Sequence, residues 1–362
     1  MALLLSESFG AYAAIADFAT YGISNSTSLA TDSIDSVGGY NAAPAYKGLT
    51  SGGSGSASLL FPYVFAPASN ELRFGFWIKT SASAAGDSNA NSKGVLMFFD
   101  STVVKYMGIR LTSTGKIGWT NLKTAISSTI DYTGSISVND GQQHWVEGRV
   151  ILGGATNGTV QTWVDGIADI NQTSVTNDGA TGLTCTSMVR LQLGYTFVAS
   201  ASAQWLSHIM VWDISGAGLT TYLGPARIEY LAPNAAGTNS ALTPTSGANY
   251  TTVNEQVANL DTSYVEGATS GLIDTYNYTN LATSPSVIAA VAVKSFAKNA
   301  DVGTKTFRAK CLSNVTYANG ADVTLLVSYK AFFDVYAVDP NTAAAWTAAG
   351  LNAAEFGIEV RT

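Results

Sequence analysis

The feature that most restricts this chain is a side-chain period of two. Along Glu71–Lys79, the residues Leu72, Phe74, Phe76 and Ile78 fall on one face and Arg73, Trp77 and Lys79 on the other. Similar short runs recur at 94–100, 106–111, 115–119, 144–150, 159–166, 188–195 and 205–213, each closed by Gly, Asn, Asp or Ser. Many short strands punctuated in this way predict a β-sandwich. A strand over Leu3–Leu5 and a short helical stretch near Ile15–Tyr21 precede them. Beyond a break at Gly224-Pro225, strands are predicted at 226–231, 286–294, 306–311, 323–329 and 332–338. A helical turn and a closing strand are expected within 347–360. At 362 residues the chain exceeds one ordinary core, and two domains are expected, 1–224 and 225–362.

Composition narrows the function classes. Charged residues make up 12% of the chain, about half the usual share, whereas 46% hydrophobic and 10% aromatic content suffices to fill a core. The 18 basic residues are scattered singly and the formal net charge is −7, which argues against nucleic acid as the partner. No apolar run approaches the roughly 20 residues of a membrane-spanning helix. Cys185 and Cys311 stand far apart and read as two buried small hydrophobes rather than a disulfide framework. The opening Met1–Ser8 has no basic n-region, so assembly in a host cytoplasm is expected.

Two motifs stand out. Asp140-Gly141 leads into His144, Trp145, Val146 and Glu147, and a second run ends in Val164-Asp165-Gly166, a two-residue hairpin signal whose partner strand would start at Ile167. This order resembles the concanavalin A-like/laminin-G superfamily, together with Phe74–Lys79 and the late Trp212-Asp213. The resemblance covers residues 1–225 at most. It implies an all-β fold in which a concanavalin A-like (laminin-G-like) jelly-roll sandwich is followed by a second β-sandwich.

In the second half, Leu223–Ile228, Leu231–Gly237, Val253–Glu255, Asp261–Tyr264, Asp339–Thr347 and Glu355–Ile358 are similar to runs in structural proteins of tailed bacteriophages. That likeness implies a virion protein acting through protein–protein contacts with head, neck or tail. The partners expected are other virion proteins and further copies of the chain, a trimer being the expected oligomer. A receptor-binding module for host surface polysaccharide is the alternative.

Catalysis is not expected. Glycosidase chemistry needs two opposed carboxylates. Glu147 is the best candidate, but it shares a face with Trp145 and Arg149, and an ordinary cross-strand ion pair explains it. His144 and His208 have no nucleophile elbow to serve. No cofactor is expected. Relatives of the first domain often hold calcium, and Asp87, Asn89, Asn91, Asn177 and Asp178 offer oxygens, but turn formation explains them equally well. Loop aromatics are the remaining candidates for glycan or interface contact. They are Tyr195, Phe197, Tyr264, Tyr276 and Tyr278, with Tyr40, Tyr46 and Tyr250 beside them.

Overall fold

In a computed structural model, the structure describes residues 2–14, 17–20, 24–26, 33–48, 58–61, 65–81, 93–125, 127, 129–193, 203–215 and 222–362. The chain forms two compact units whose main segments are Ile23–Ile228 and Glu229–Thr362. Among the described residues, no helix is long and apolar enough to cross a membrane.

The first unit contains β1 (Ala2–Glu7), β2 (Ser24–Ser26), β3 (Ser33–Asp35), β4 (Ala45–Gly48), β5 (Ser58–Leu60), β6 (Glu71–Thr80), β7 (Lys93–Phe99) and β8 (Tyr106–Leu111). It continues with β9 (Lys116–Lys123), β10 (Tyr132–Ser137), β11 (Gln143–Ile151), β12 (Gly158–Val164), β13 (Ile167–Val175), β14 (Arg190–Leu193) and β15 (Gln204–Asp213). A short helix, α1 (Asp17–Thr20), lies between β1 and β2. One antiparallel sheet runs β13-β12-β11-β6-β15-β4-β3, with β1 also on β15, and the other runs β10-β9-β8-β7-β14-β5-β2.

The period of two explains how the sheets stack. Leu72, Phe74, Phe76 and Ile78 are fully buried. Phe74 meets Phe98 and Trp119 of the opposite sheet at ring separations of 5.6 and 6.2 Å. Gly148, directly across from Phe74 on β11, makes room for that ring: a Cβ there would sit 2.1 Å from Phe74 Cζ. At one edge Asp169 of β13 joins the sheets by accepting from the Ser135 and Ile136 amides of β10 at 2.6 and 2.9 Å.

The second unit holds β16 (Pro233–Ser240), β17 (Thr243–Pro244), β18 (Val265–Glu266), β19 (Ile273–Tyr278), β20 (Val291–Ala297), β21 (Thr306–Ser313), β22 (Thr316–Asn319), β23 (Val323–Thr324), β24 (Lys330–Tyr336), α2 (Ala348–Ala353) and β25 (Glu355–Val360). A sheet ordered β16-β19-β25-β21-β22 packs on the β20–β24 pair. Cys311, Tyr336, Trp346, Leu351 and Phe356 fill the space between, with Tyr278, Val291 and Val293 against them. Both units are therefore β-sandwiches. Both cysteines are buried and free, and burial pushes each thiol up to about 12.

Two predicted strands need correction. Residues 226–231 form no strand: the Ala226 carbonyl and the Ile228 amide are taken by the side chains of Trp77 and His208 instead of a neighbouring strand. Of 323–329 only Val323–Thr324 forms a strand, and Leu326 and Val327 are exposed, so that apolar run does not reach the core.

Gly148→Ala would force a methyl against a ring that cannot retreat, and overpacking of this kind costs about 1–3 kcal/mol. The expected outcome is a lower midpoint in urea with an unchanged slope, measured against the wild-type chain.

Candidate functional site

The strands that carry Phe74 and Phe76 inward carry a different set outward. Trp77 faces Trp145, Arg73 faces Arg149 and Gly75 faces Glu147 across β6 and β11. Trp163 of β12 lies opposite Glu147, and Trp205 of β15 opposite Lys79. The outer face of the eight-stranded sheet thus bears indoles interleaved with charges. Gly75 is needed here, since a Cβ would lie 2.5 Å from Trp145 Cζ2.

The rings are held in place. Tyr40 stacks on Trp77 at 3.5 Å, and the Trp77 and Trp145 rings lie 5.7 Å apart. Trp205 donates from Nε1 to Asp35 at 2.8 Å, with Lys47 and Lys79 ammoniums 5.0 and 5.4 Å from its ring. Glu71 bridges the two arginines that face each other, taking Arg73 at 2.6 Å and Arg149 at 2.8 Å. Burial acts to raise the Glu71 carboxyl, but the two guanidiniums outweigh it and hold it below the usual range. Even so, Arg73 Nη1 and Arg149 Nε are buried without a hydrogen-bond partner among the described residues.

Glu147 differs from its expected role. Arg149 pairs with Glu71, and the Glu147 carboxylate instead accepts from the Leu223 amide at 2.7 Å, the Gly224 amide at 3.0 Å and Trp145 Nε1 at 3.2 Å. It is 2% exposed, and burial raises its pKa above the ordinary carboxyl value against the pull of those donors. The simple cross-strand ion pair is corrected accordingly. The segment Tyr222–Ile228 follows this face: Tyr222 lies on Trp163 at 3.6 Å, Trp77 Nε1 donates to the Ala226 carbonyl at 2.8 Å, and the Ile228 amide donates to His208 Nδ1 at 3.1 Å.

The two histidines are structural, with opposite electrostatics. His144 bridges Asp140 at 2.9 Å and Asp165 at 2.7 Å, tying the turn before β11 to the β12–β13 hairpin. Burial would lower its pKa, but the two carboxylates overcome this and raise it. Asp165 and Gly166 have φ of 52° and 81°, as the hairpin signal requires. His208 is buried in β15, and burial pushes its pKa down to about 4.

The aromatics singled out from sequence do not converge. Tyr195 and Phe197 lie outside the described residues. Tyr264 follows a short 3-10 turn and is partly exposed. Tyr276 and Tyr278 are corrected: both lie in β19 rather than in loops. Tyr276 is 5% exposed with its hydroxyl on Asp274, and Tyr278 packs on Phe356. Asp87, Asn89 and Asn91 also lie outside the described residues, while Asn177 and Asp178 spend their oxygens on the Gly153 and Ala180 amides. Among the described residues, no three His, Cys, Asp or Glu side chains gather as metal ligands.

No family model matches this sequence, and no curated protein matches it. Among solved structures the chain is similar to an endo-β-1,4-glucuronan lyase from Trichoderma reesei, at 12% identity and TM-score 0.38, over 53% of this chain and 92% of that one. It is also similar to an alginate lyase from Aplysia kurodai, at 10% identity and TM-score 0.38, over 59% of this chain and 100% of the other. A third is a carbohydrate esterase from the Shiga toxin-encoding bacteriophage phi24B, at 14% identity and TM-score 0.37, over 58% and 97%. The expectation of a non-enzymatic chain is corrected on this finding: with lyases and an esterase among the similar structures, the exclusion of catalysis is withdrawn. At these TM-scores the likeness assigns no activity in its turn.

His208 gives the first unit a defined acid weakness. Its folded pKa of about 4 lies below the ordinary 6.5, so the unfolded chain takes up the proton first as pH falls. The stability it supports is complete above pH 6.5 and drains away toward pH 4, by about 3 kcal/mol in all. His208→Asn, which tolerates the local φ of 49°, is expected to flatten the fall in urea midpoint across that window.

Proposed function

We propose that this chain is a polysaccharide-recognising protein of a tailed-phage particle, with the outer face of the eight-stranded sheet as its recognition surface. The observation that carries the reading is the row of Trp77, Trp145, Trp163 and Trp205 on one sheet face, Trp163 and Trp205 partly exposed and Trp77 and Trp145 buried, interleaved with Glu147, Arg73, Arg149, Lys47 and Lys79. A sugar ring offers an apolar face to an indole and hydroxyls to charged groups, so such a row suits a saccharide better than an apolar ligand. Fixed rings also lower the entropy lost on binding. That two lyases and an esterase are described as carbohydrate-active agrees with this reading but does not carry it.

The virion assignment rests on the phage-like runs of the second half, among them Leu231–Gly237 and Asp339–Thr347. Head, neck or tail proteins are the proposed partners, and a closed homo-oligomer, a trimer, the proposed form. Mass spectrometry of purified particles tests the placement, which fails if the chain is never found there.

For recognition, the full-length chain is applied to an array of bacterial surface polysaccharides. Reproducible binding is expected, weakened about tenfold or more by Trp163→Ala or Trp205→Ala, in the range of a well-packed aromatic anchor. Binding that survives both changes would place recognition elsewhere.

A further inference from the structure

Two guanidinium N–H groups on the outer face find no acceptor among the described residues. Arg73 is 7% exposed and its Nη1 has no acceptor among the described residues, and Arg149 Nε is likewise buried and without an acceptor among them. Glu147, on the same face, pairs with neither arginine and is committed to the amides of Leu223 and Gly224 and to Trp145 Nε1. A buried N–H without an acceptor is costly. An ordinary connecting segment gives no reason to leave two guanidinium hydrogens unmet while a carboxylate serves loop amides that water could serve.

The contacts of that segment are those of a sugar chain. Tyr222 sets its ring against Trp163 at 3.6 Å with the planes 49° apart, on the indole that a pyranose would use. The Leu223 and Gly224 amides donate to Glu147 where sugar hydroxyls would. The Ala226 carbonyl accepts from Trp77 Nε1, as a hydroxyl or ring oxygen would. We infer that residues 222–226 occupy, in cis, the path of an acidic polysaccharide across Trp163, Glu147 and Trp77, and that the ligand binds by displacing them. The sugar carboxylate supplies the acceptor that Arg73 and Arg149 lack, and its hydroxyls inherit Glu147. This rests on the polysaccharide reading above and adds the ligand class and the competitor.

Gly224 allows the cover to be loosened without touching the site. Its φ is +68° and a Cβ there would meet nothing within 4 Å, so Gly224→Ala strains only the bound conformation of the segment. Tyr222→Ala removes the ring from Trp163 by an independent route. Hydrogen exchange of the full-length protein is followed at Leu223 and Gly224, and binding is measured on an array of neutral and carboxylate-bearing polysaccharides. In Gly224→Ala the expected results are exchange about fivefold faster, from the cost of a side chain in the left-handed region, and binding to carboxylate-bearing glycans tighter by a similar factor. Unchanged exchange in both variants would show that the segment does not open as a unit, and the inference falls. Faster exchange with unchanged or weaker glycan binding, or hits confined to neutral glycans, overturns the competition while leaving polysaccharide recognition standing. Absence of any hit for wild type and both variants removes the polysaccharide reading itself, and this inference with it.

Discussion

Strand β6 is hydrogen-bonded on both sides, to β11 along its length and to β15 across most of it. A strand held this way cannot slip, because a one-residue shift would send Phe74 and Phe76 outward and Arg73 and Trp77 into the core. Two glycines record the same constraint from opposite faces. Gly148 yields its space to Phe74 within the sandwich, and Gly75 yields its own to Trp145 outside it. With those positions fixed, the registration of Glu147, Arg149 and Trp163 follows.

A chain with so few charges uses several of them internally, and it stabilises them in different ways. Glu71 is met by two guanidiniums. In the second unit Glu359 is held down to about 2: burial opposes ionisation there, and Lys310, Arg308 and Arg361 overcome it. Asp274, fully buried, is satisfied by the Ala241 and Leu242 amides, Asn249 and the Tyr276 hydroxyl. Glu147 relies on the amides of Leu223 and Gly224, in a segment without regular structure, and burial raises its pKa. A buried acid is stable only as its donors are.

The alternation of 71–79, the Asp165-Gly166 turn and the strand that starts at Ile167 were all legible in the residues, because side-chain period and turn chemistry are local properties. The shared face of Trp145, Glu147 and Arg149 was legible for the same reason. The partner of Glu147 was not. It is a pair of backbone amides 76 and 77 residues away, and an amide leaves no mark on residue type. Tyr276 misled for a related reason: its neighbours Asp274, Asn277 and Thr279 read as loop, yet Asp274 is buried as a hydrogen-bond hub of the strand. Val323–Tyr329 misled in the opposite direction, since an apolar run contains no record of whether a second layer is present to cover it.

Each unit also contains a single sealed thiol, Cys185 in the first and Cys311 in the second. With both raised to about 12, almost no thiolate exists at neutral pH while either sandwich is intact. An alkylating reagent can therefore modify a cysteine only after the sandwich around it has opened. The mass of the labelled peptide then identifies which of the two has come apart, without any engineered probe.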